Sequence, residues 1–337
     1  MSGLPVTPSP SGAAAPQAPI KLVVQYRMHP DISQPASQVF YQGELKDADS
    51  TKVIVPVQRA MRQFAKATFG PAWSGTNRMA ISTTGIEGAG DVQWQKTPSI
   101  TNDIEAEIIV AMCKAMVAFQ PEQLKDKEPL EKIEPRHIGM SSDYRGLCDH
   151  VRSALDKAGL SDVNVDFQGI EVYTANQVQD REYPIHLVAF AKHNTSDPRD
   201  LGFMTDVGQL CVQFTRAQYF HIAVGNFQAW RDDYYQNHCR TTNRLKPCYG
   251  LIDSFHLGKA IMHGKDFVRT IGGKVPEAPQ MPAPPTLQAN QYIPSGGSAA
   301  GGYNRGGGAG APNRGSRGGR GGPGGRSDGN HQHRGHA

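Results

Sequence analysis

Between residues 20 and 275 the rhythm of apolar and polar positions changes repeatedly. Residues 20–26 form a short apolar run that predicts a buried strand. Residues 102–116 carry Ile104, Ile108, Ala111, Met112 and Ala115 at helical spacing, with Asn102 placed to cap the helix start. Residues 137–141 predict a short strand. In residues 144–158, Leu147, Val151 and Leu155 recur every fourth position, the stripe of an amphipathic helix. Residues 163–167, 171–174 and 185–190 are strand-like, residues 209–218 helical, 219–225 a strand and 228–235 helical. Strands alternating with helices predict an α/β domain with a mostly parallel sheet. In such sheets sites form at the carboxyl ends of strands, and the strongest motifs are expected there.

Composition divides the 337-residue chain into three parts. Residues 1–19 are rich in Pro, Ser and Ala, and residues 276–337 turn Pro-rich and then Gly/Arg-rich. Both flanks are expected to be disordered around a folded domain at 20–275. The net charge of +4 is carried by the tail: after Gly301 there are six arginines against the single Asp328. A nucleic-acid surface on the folded part must therefore be local. No apolar run spans a bilayer, and no basic-then-apolar leader marks secretion. The five cysteines are odd in number and scattered. These features point to a reduced, intracellular protein, cytoplasmic or nuclear, with no membrane partner.

Chemistry concentrates in a few stretches. Gln25-Tyr26-Arg27-Met28-His29-Pro30 is followed by Phe40, Tyr41, Gly43 and Leu45. An isolated arginine at a strand end would be ordinary surface, although its fork of donors suits phosphate. The surrounding sequence resembles motif IV of superfamily 1B helicases of the nonsense-mediated-decay (Upf-type) family, with Ile32, Pro35, Ser37, Phe40, Tyr41, Gly43 and Leu45 in register. Ser99, Asn102, Glu105 and Ala106 follow in family order, then Ile138-Gly139-Met140-Ser141-Ser142. Residues 172–182 resemble motif V and residues 210–218 motif VI. The resemblance covers residues 21–230 and implies the second, C-terminal RecA-like domain of a P-loop NTPase-type helicase, an ATP hydrolase.

The resemblance also implies roles. Arg27 and Arg216 contact the γ-phosphate, and Arg216 acts as arginine finger. Tyr26 lies against the base, and Glu182 binds the nucleotide or couples it to nucleic acid. Ser141, Ser142, Thr174 and Gln179 meet the sugar–phosphate backbone of single-stranded RNA or DNA. Arg305, Arg317 and Arg320, each in an Arg-Gly-Gly sequence, add RNA contacts from the tail. Several positions depart from the family pattern: Asn176, Val178 and Asp180 in motif V, and Gly208, Gln209 and Gln218 around motif VI. Asp180 places a carboxylate and a Cβ where the family has glycine.

A helicase also needs a loop of the form G-x-x-x-x-G-K-[ST]. None of Gly258-Lys259, Gly264-Lys265 and Gly273-Lys274 fits it. ATP with Mg²⁺ is thus expected only where a first RecA-like domain is supplied, by another chain or by a longer product, and the chain alone is expected to be inactive. The alternative is a degenerate helicase serving as a non-enzymatic RNA-binding module. Gly90-Asp91-Val92-Gln93 resembles another family motif out of order and reads as a coincidental loop. No zinc spacing is recognisable among His238, Cys239, Cys248 and His256.

Overall fold

The computed structural model describes residues 23–90, 92–93, 99–122, 131–161, 167–192, 198–231 and 246–271. The flanks and the tail arginines Arg305, Arg317 and Arg320 lie outside them, as does most of the strand expected at 163–167. In chain order the elements are β1 (Val24–Gln25), α1 (Pro30–Phe40), β2 (Lys46–Asp47), α2 (Pro56–Phe69), β3 (Arg78–Ser82), β4 (Val92–Gln93), β5 (Ile100–Thr101) and α3 (Asp103–Ala118). After these come β6 (Ile138–Ser142), α4 (Arg145–Ser161), β7 (Glu171–Thr174), β8 (Tyr183–Ala189), α5 (Val207–Phe214), β9 (Ala217–Gly225), α6 (Lys246–Leu257), β10 (Ile261–His263) and α7 (Gly264–Thr270).

Six strands form one sheet in the order β10-β3-β9-β8-β6-β7, with every pairing parallel. The chain is therefore α/β with a RecA-like parallel sheet between helices. The central strands are buried on both faces, and alternate side chains divide between two cores. Ile81, Ile185, Leu187, Phe220, Ile222 and Val224 join α2, α3, α4 and α7 on one face. Ala80, Val188 and Ala223 join α5 and α6 on the other. Asn102 caps α3 as expected, its side chain accepting from the Glu105 amide.

Gly139 on β6 lies beneath the Tyr183 ring, and a Cβ there would fall 2.3 Å from it. The chain passes from β7 to β8 through residues 175–182. Glu171 secures the crossing by accepting from Tyr183 Oη at 2.7 Å and Arg181 Nη1 at 2.8 Å.

The structure corrects four expectations. Of residues 20–26 the described part holds only β1 as a strand, and its apolar side chains are not buried: Val23, Val24 and Tyr26 are exposed and the polar Gln25 is the buried one, because β1 pairs with β2 outside the main sheet. The helix expected at 209–218 ends at Phe214, since Ala217 already pairs with Tyr183 in the sheet. Of the helix expected at 228–235, a single 3-10 turn at Ala229–Arg231 is described. Val92–Gln93 is not a loop but pairs antiparallel with Ile100–Thr101.

Candidate functional site

The turn that carries Arg27 is ordered by bonds to its backbone. Gln25, buried beneath the turn, accepts through Oε1 from the Arg27 amide at 2.9 Å and the Met28 amide at 2.7 Å. Its Nε2 donates to the Met28 carbonyl and to Asp47 Oδ1. Met28 enters a small core with Ile32 and Ala217. His29 caps α1 by accepting from the Asp31 amide through Nδ1, and Pro30 begins the helix. Burial lowers the His29 pKa, which favours the neutral ring that the cap requires. The His29 amide donates to the Gln218 carbonyl at 2.8 Å and so ties this turn to β9. Gln42 and Gly43 take left-handed φ values of 57° and 77° in the turn after α1, which Gly43 permits without strain.

Arg216 sits at the corner between α5 and β9. Its Nε donates to the Val212 carbonyl at 2.8 Å, one Nη to the Arg181 carbonyl at 3.2 Å and the other to Thr215 Oγ1 at 3.0 Å. Arg27 donates from Nε to Glu182 at 2.8 Å and from Nη1 to the Thr215 carbonyl at 3.1 Å. The two guanidinium groups thus share Thr215. Burial, and then the charge of Arg27, lower the Arg216 pKa. Among the described residues Arg216 has no ion-pair partner. Its bonds all go to neutral oxygens, so its charge is held in place without being neutralised. A guanidinium has five N–H donors, leaving three on Arg27 and two on Arg216 for an incoming anion. Two fixed cations with spare donors have the chemistry that suits a phosphate group.

Glu182 uses both carboxylate oxygens, one for Arg27 and one for Gln218 Nε2 at 2.9 Å. The glutamine that departs from the family pattern therefore keeps a hydrogen bond to Glu182 but brings no charge. Tyr41 joins the cluster 3.5 Å from Cys211, and this contact with burial pushes its pKa up to about 12. Asp180 adopts φ 65°, the left-handed conformation that glycine favours. Aspartate tolerates this region better than most residues. The carboxylate of Asp180 lies close enough to Arg216 to raise its pKa, partly offsetting the effect of Arg27.

The cluster's position corrects the expectation that sites lie at carboxyl strand ends. Arg216 immediately precedes β9 and Glu182 immediately precedes β8, so both stand at the amino-terminal edge of the sheet. Thr174 ends β7 at the opposite, carboxyl edge, where Ser142 is its register partner. Residues 175–182 therefore run from one edge to the other. The structure brings together Arg27, Glu182 and Arg216. Tyr26 is adjacent in sequence and 74% exposed.

Ser141 and Ser142 are fully buried, which overturns the expectation that they meet a nucleic-acid backbone. Ser141 donates to Gln213 Oε1 and Ser142 accepts from the Tyr144 amide, so both serve the interior of the domain. Thr174 donates to Gln177 Oε1 at 3.0 Å, and Gln179 is exposed on the same loop. Sequence reasoning missed the supporting roles of Gln25, Thr215 and Tyr41. The paired side-chain and backbone polarity of Gln25 at a strand end was the available signal.

An AAA domain family model matches residues 11–228, more than half of the chain. The chain belongs to this family, as a superfamily 1 helicase domain of the nonsense-mediated-decay type. It is 25% identical over 249 residues to ATP-dependent helicase NAM7 of Saccharomyces cerevisiae, covering 71% of this chain and 22% of that protein. It is 26% identical over 210 residues to regulator of nonsense transcripts 1 of Caenorhabditis elegans, covering 62% and 17% respectively. A 27% identity over 222 residues relates it to the Dictyostelium discoideum protein of the same name, covering 64% and 14%. The chain thus matches about a fifth or less of the length of these relatives. No described helix is long and apolar enough to cross a membrane.

Proposed function

We propose that residues 20–275 form the second, C-terminal half of a two-part, nucleic-acid-stimulated ATPase. Arg27 and Arg216 grip the terminal phosphate of ATP bound to a first RecA-like domain, from another chain or from further sequence of the same product. The observation that carries this reading is the un-neutralised Arg216 beside Arg27 at one sheet edge. ATP supplies a phosphoryl group whose oxygens gain charge as it transfers. Arg216, fixed by three bonds to neutral oxygens, stabilises that charge without having to reorganise. Tyr26, exposed beside the clamp, is placed to lie against the base. Among the described residues no cluster of acids and histidines could hold a metal. The Mg²⁺ of hydrolysis is proposed to be held by the first RecA-like domain together with the ATP phosphates, since such ions take one or two carboxylates and phosphate oxygens.

The loop at 175–182 offers a route for coupling. Thr174 and Gln179 are proposed to contact single-stranded RNA or DNA, while Glu182 at the loop's far end binds Arg27. Movement of the loop by a nucleic acid strand would shift the partner of a phosphate ligand. The tail arginines Arg305, Arg317 and Arg320 are proposed as further RNA contacts. The location that follows is intracellular, in cytoplasm or nucleus.

The test is RNA-stimulated ATP hydrolysis, measured for the chain alone and with a P-loop half supplied. Activity in the combined system that falls at least 100-fold in Arg216→Ala supports the reading. Hydrolysis that ignores Arg216 sinks it. A second reading, a non-enzymatic RNA-binding module, is favoured by a different observation: Glu182 already occupies Arg27, and Gln218 and Asp180 both reduce the positive charge beside the clamp. RNA binding without hydrolysis in either system supports that module.

A further inference from the structure

A second surface of this domain carries cations and aromatic rings that the phosphate clamp does not use. An open groove of about 710 Å³ runs between α2 and the segment after α3. Arg59, Arg62 and Lys66 line it from α2. At 1.5 Å rise per residue they span about 10 Å along the helix, a row of cations long enough to meet more than one phosphate of a strand. Ile54, Trp73 and Phe119 give the groove an apolar surface. Such a lining is sized and composed for a ligand with flat rings and negative charge.

The walls are fixed before any ligand arrives. Gln63 and the Glu122 backbone exchange two hydrogen bonds, at 3.0 Å and 2.8 Å, which pin the far wall to α2. Trp73 is held by its indole N–H donating to the Thr76 carbonyl at 3.0 Å. Arg62 lies over the Trp73 ring at 5.6 Å and donates to Asn77 Oδ1 at 2.9 Å. The Asn77 amide in turn donates to Asp31 in the first turn of α1, and the charge of Arg62 is felt at His29. The groove therefore borders the turn that holds Arg27. Glu122 is the one carboxylate in its lining, against three cations.

We propose that this groove binds single-stranded nucleic acid, with bases against Trp73 and Phe119 and phosphates on Arg59, Arg62 and Lys66. The proposal rests on the reading of the domain as a nucleic-acid-dependent ATPase half and adds a binding surface to it. Three cations beside two aromatic rings favour a strand over an acidic peptide, which has charge but no regular succession of rings.

The test uses the full 337-residue chain and a fluorescein-labelled 15-mer of uridine containing 4-thiouridine. The proposal expects photocrosslinks on the peptides carrying Trp73 or Phe119. It also expects the double variant Arg59→Gln/Lys66→Gln to bind about tenfold more weakly at 50 mM salt. The slope of log affinity against log salt should become shallower by roughly 1.4, about 0.7 for each phosphate no longer neutralised. An unchanged melting temperature excludes a folding defect. Binding with crosslinks confined to residues 174–182 and the tail, and with a neutral double variant, overturns the groove and leaves the wider reading intact. If the oligonucleotide does not bind at all, the groove proposal falls, while the wider reading is decided by hydrolysis in the combined two-domain system. If a polyglutamate peptide binds and the oligonucleotide does not, the groove belongs to an acidic peptide and the proposal is overturned.

Discussion

Two histidines face each other in the centre of the sheet, His186 on β8 opposite His221 on β9. Both are buried, and neither ring nitrogen of His221 has a hydrogen-bond partner. His221 packs against Phe214 and Phe255, with ring centroids 4.8 Å and 6.3 Å away. Burial, and then the charge of Arg78, lower the His221 pKa to about 3. Burial, and then His221 itself, lower that of His186. The folded protein therefore keeps His221 neutral while the unfolded chain titrates near 6.5. Above that value neither state takes up a proton at this site, and stability is unaffected. Below it the unfolded state binds the proton first, and stability falls until the pH reaches the folded-state value near 3. At pH 5 the loss from His221 alone is about 2 kcal/mol, from roughly 1.5 pH units at about 1.4 kcal/mol each. His186 adds to it in the same sense. Urea unfolding at pH 7.5 and pH 5.0 measures the change. The variant His221→Phe fits an aromatic cluster and should lose about 2 kcal/mol less than the parent on acidification. Equal losses in parent and variant would show that His221 is not held neutral by burial, and would refute the reasoning.

Four further outcomes are expected. Gly139→Ala forces a Cβ into the Tyr183 ring and should cost at least 1–3 kcal/mol, read as a lower urea midpoint. Gln25→Leu leaves the buried Met28 amide without its acceptor; it should cost roughly 2–3 kcal/mol and, by freeing the Arg27 turn, weaken the binding of a nucleotide analogue to the combined two-domain system. Asn102→Ala removes the cap of α3 and the donor to the buried Ala191 carbonyl, and should lower stability by roughly 2–3 kcal/mol in the same assay. Asp180→Val, a β-branched residue at left-handed φ, should cost about 1–2 kcal/mol, whereas Asp180→Gly should stay within about 0.5 kcal/mol. If valine proves as well tolerated as glycine, the left-handed assignment at Asp180 is wrong.

Some of this was legible in the chain's own pattern. The stripe of Leu147, Val151 and Leu155 needs a single apolar face and therefore marks α4 unaided. Runs such as Ile-His-Leu-Val-Ala at 185–189 mark strands buried on both sides. Asn102 declares its helix start because the capping bond is local, from the Glu105 amide three residues on, whereas its bond to the Ala191 carbonyl came only with the fold. The motifs pointed to Arg27, Glu182 and Arg216 as residues to watch.

Tertiary structure decided what those residues do to one another. Arg27 and Glu182 are 155 positions apart in sequence, yet they meet at 2.8 Å, because strand order sets β8 beside β9 and the His29 amide ties the Arg27 turn to β9. No periodicity records which end of a parallel strand a loop occupies, so the placing of Arg216 and Glu182 at the amino-terminal edge had to come from the fold. Burial likewise separated Ser141 and Ser142, equal to Thr174 as hydroxyls in sequence, from the surface on which Gln179 is exposed. Local chemistry sets each element's type, because caps and stripes act within a turn or two. Charge balance, exposure and edge depend on neighbours remote in sequence, and these only the packed sheet supplies.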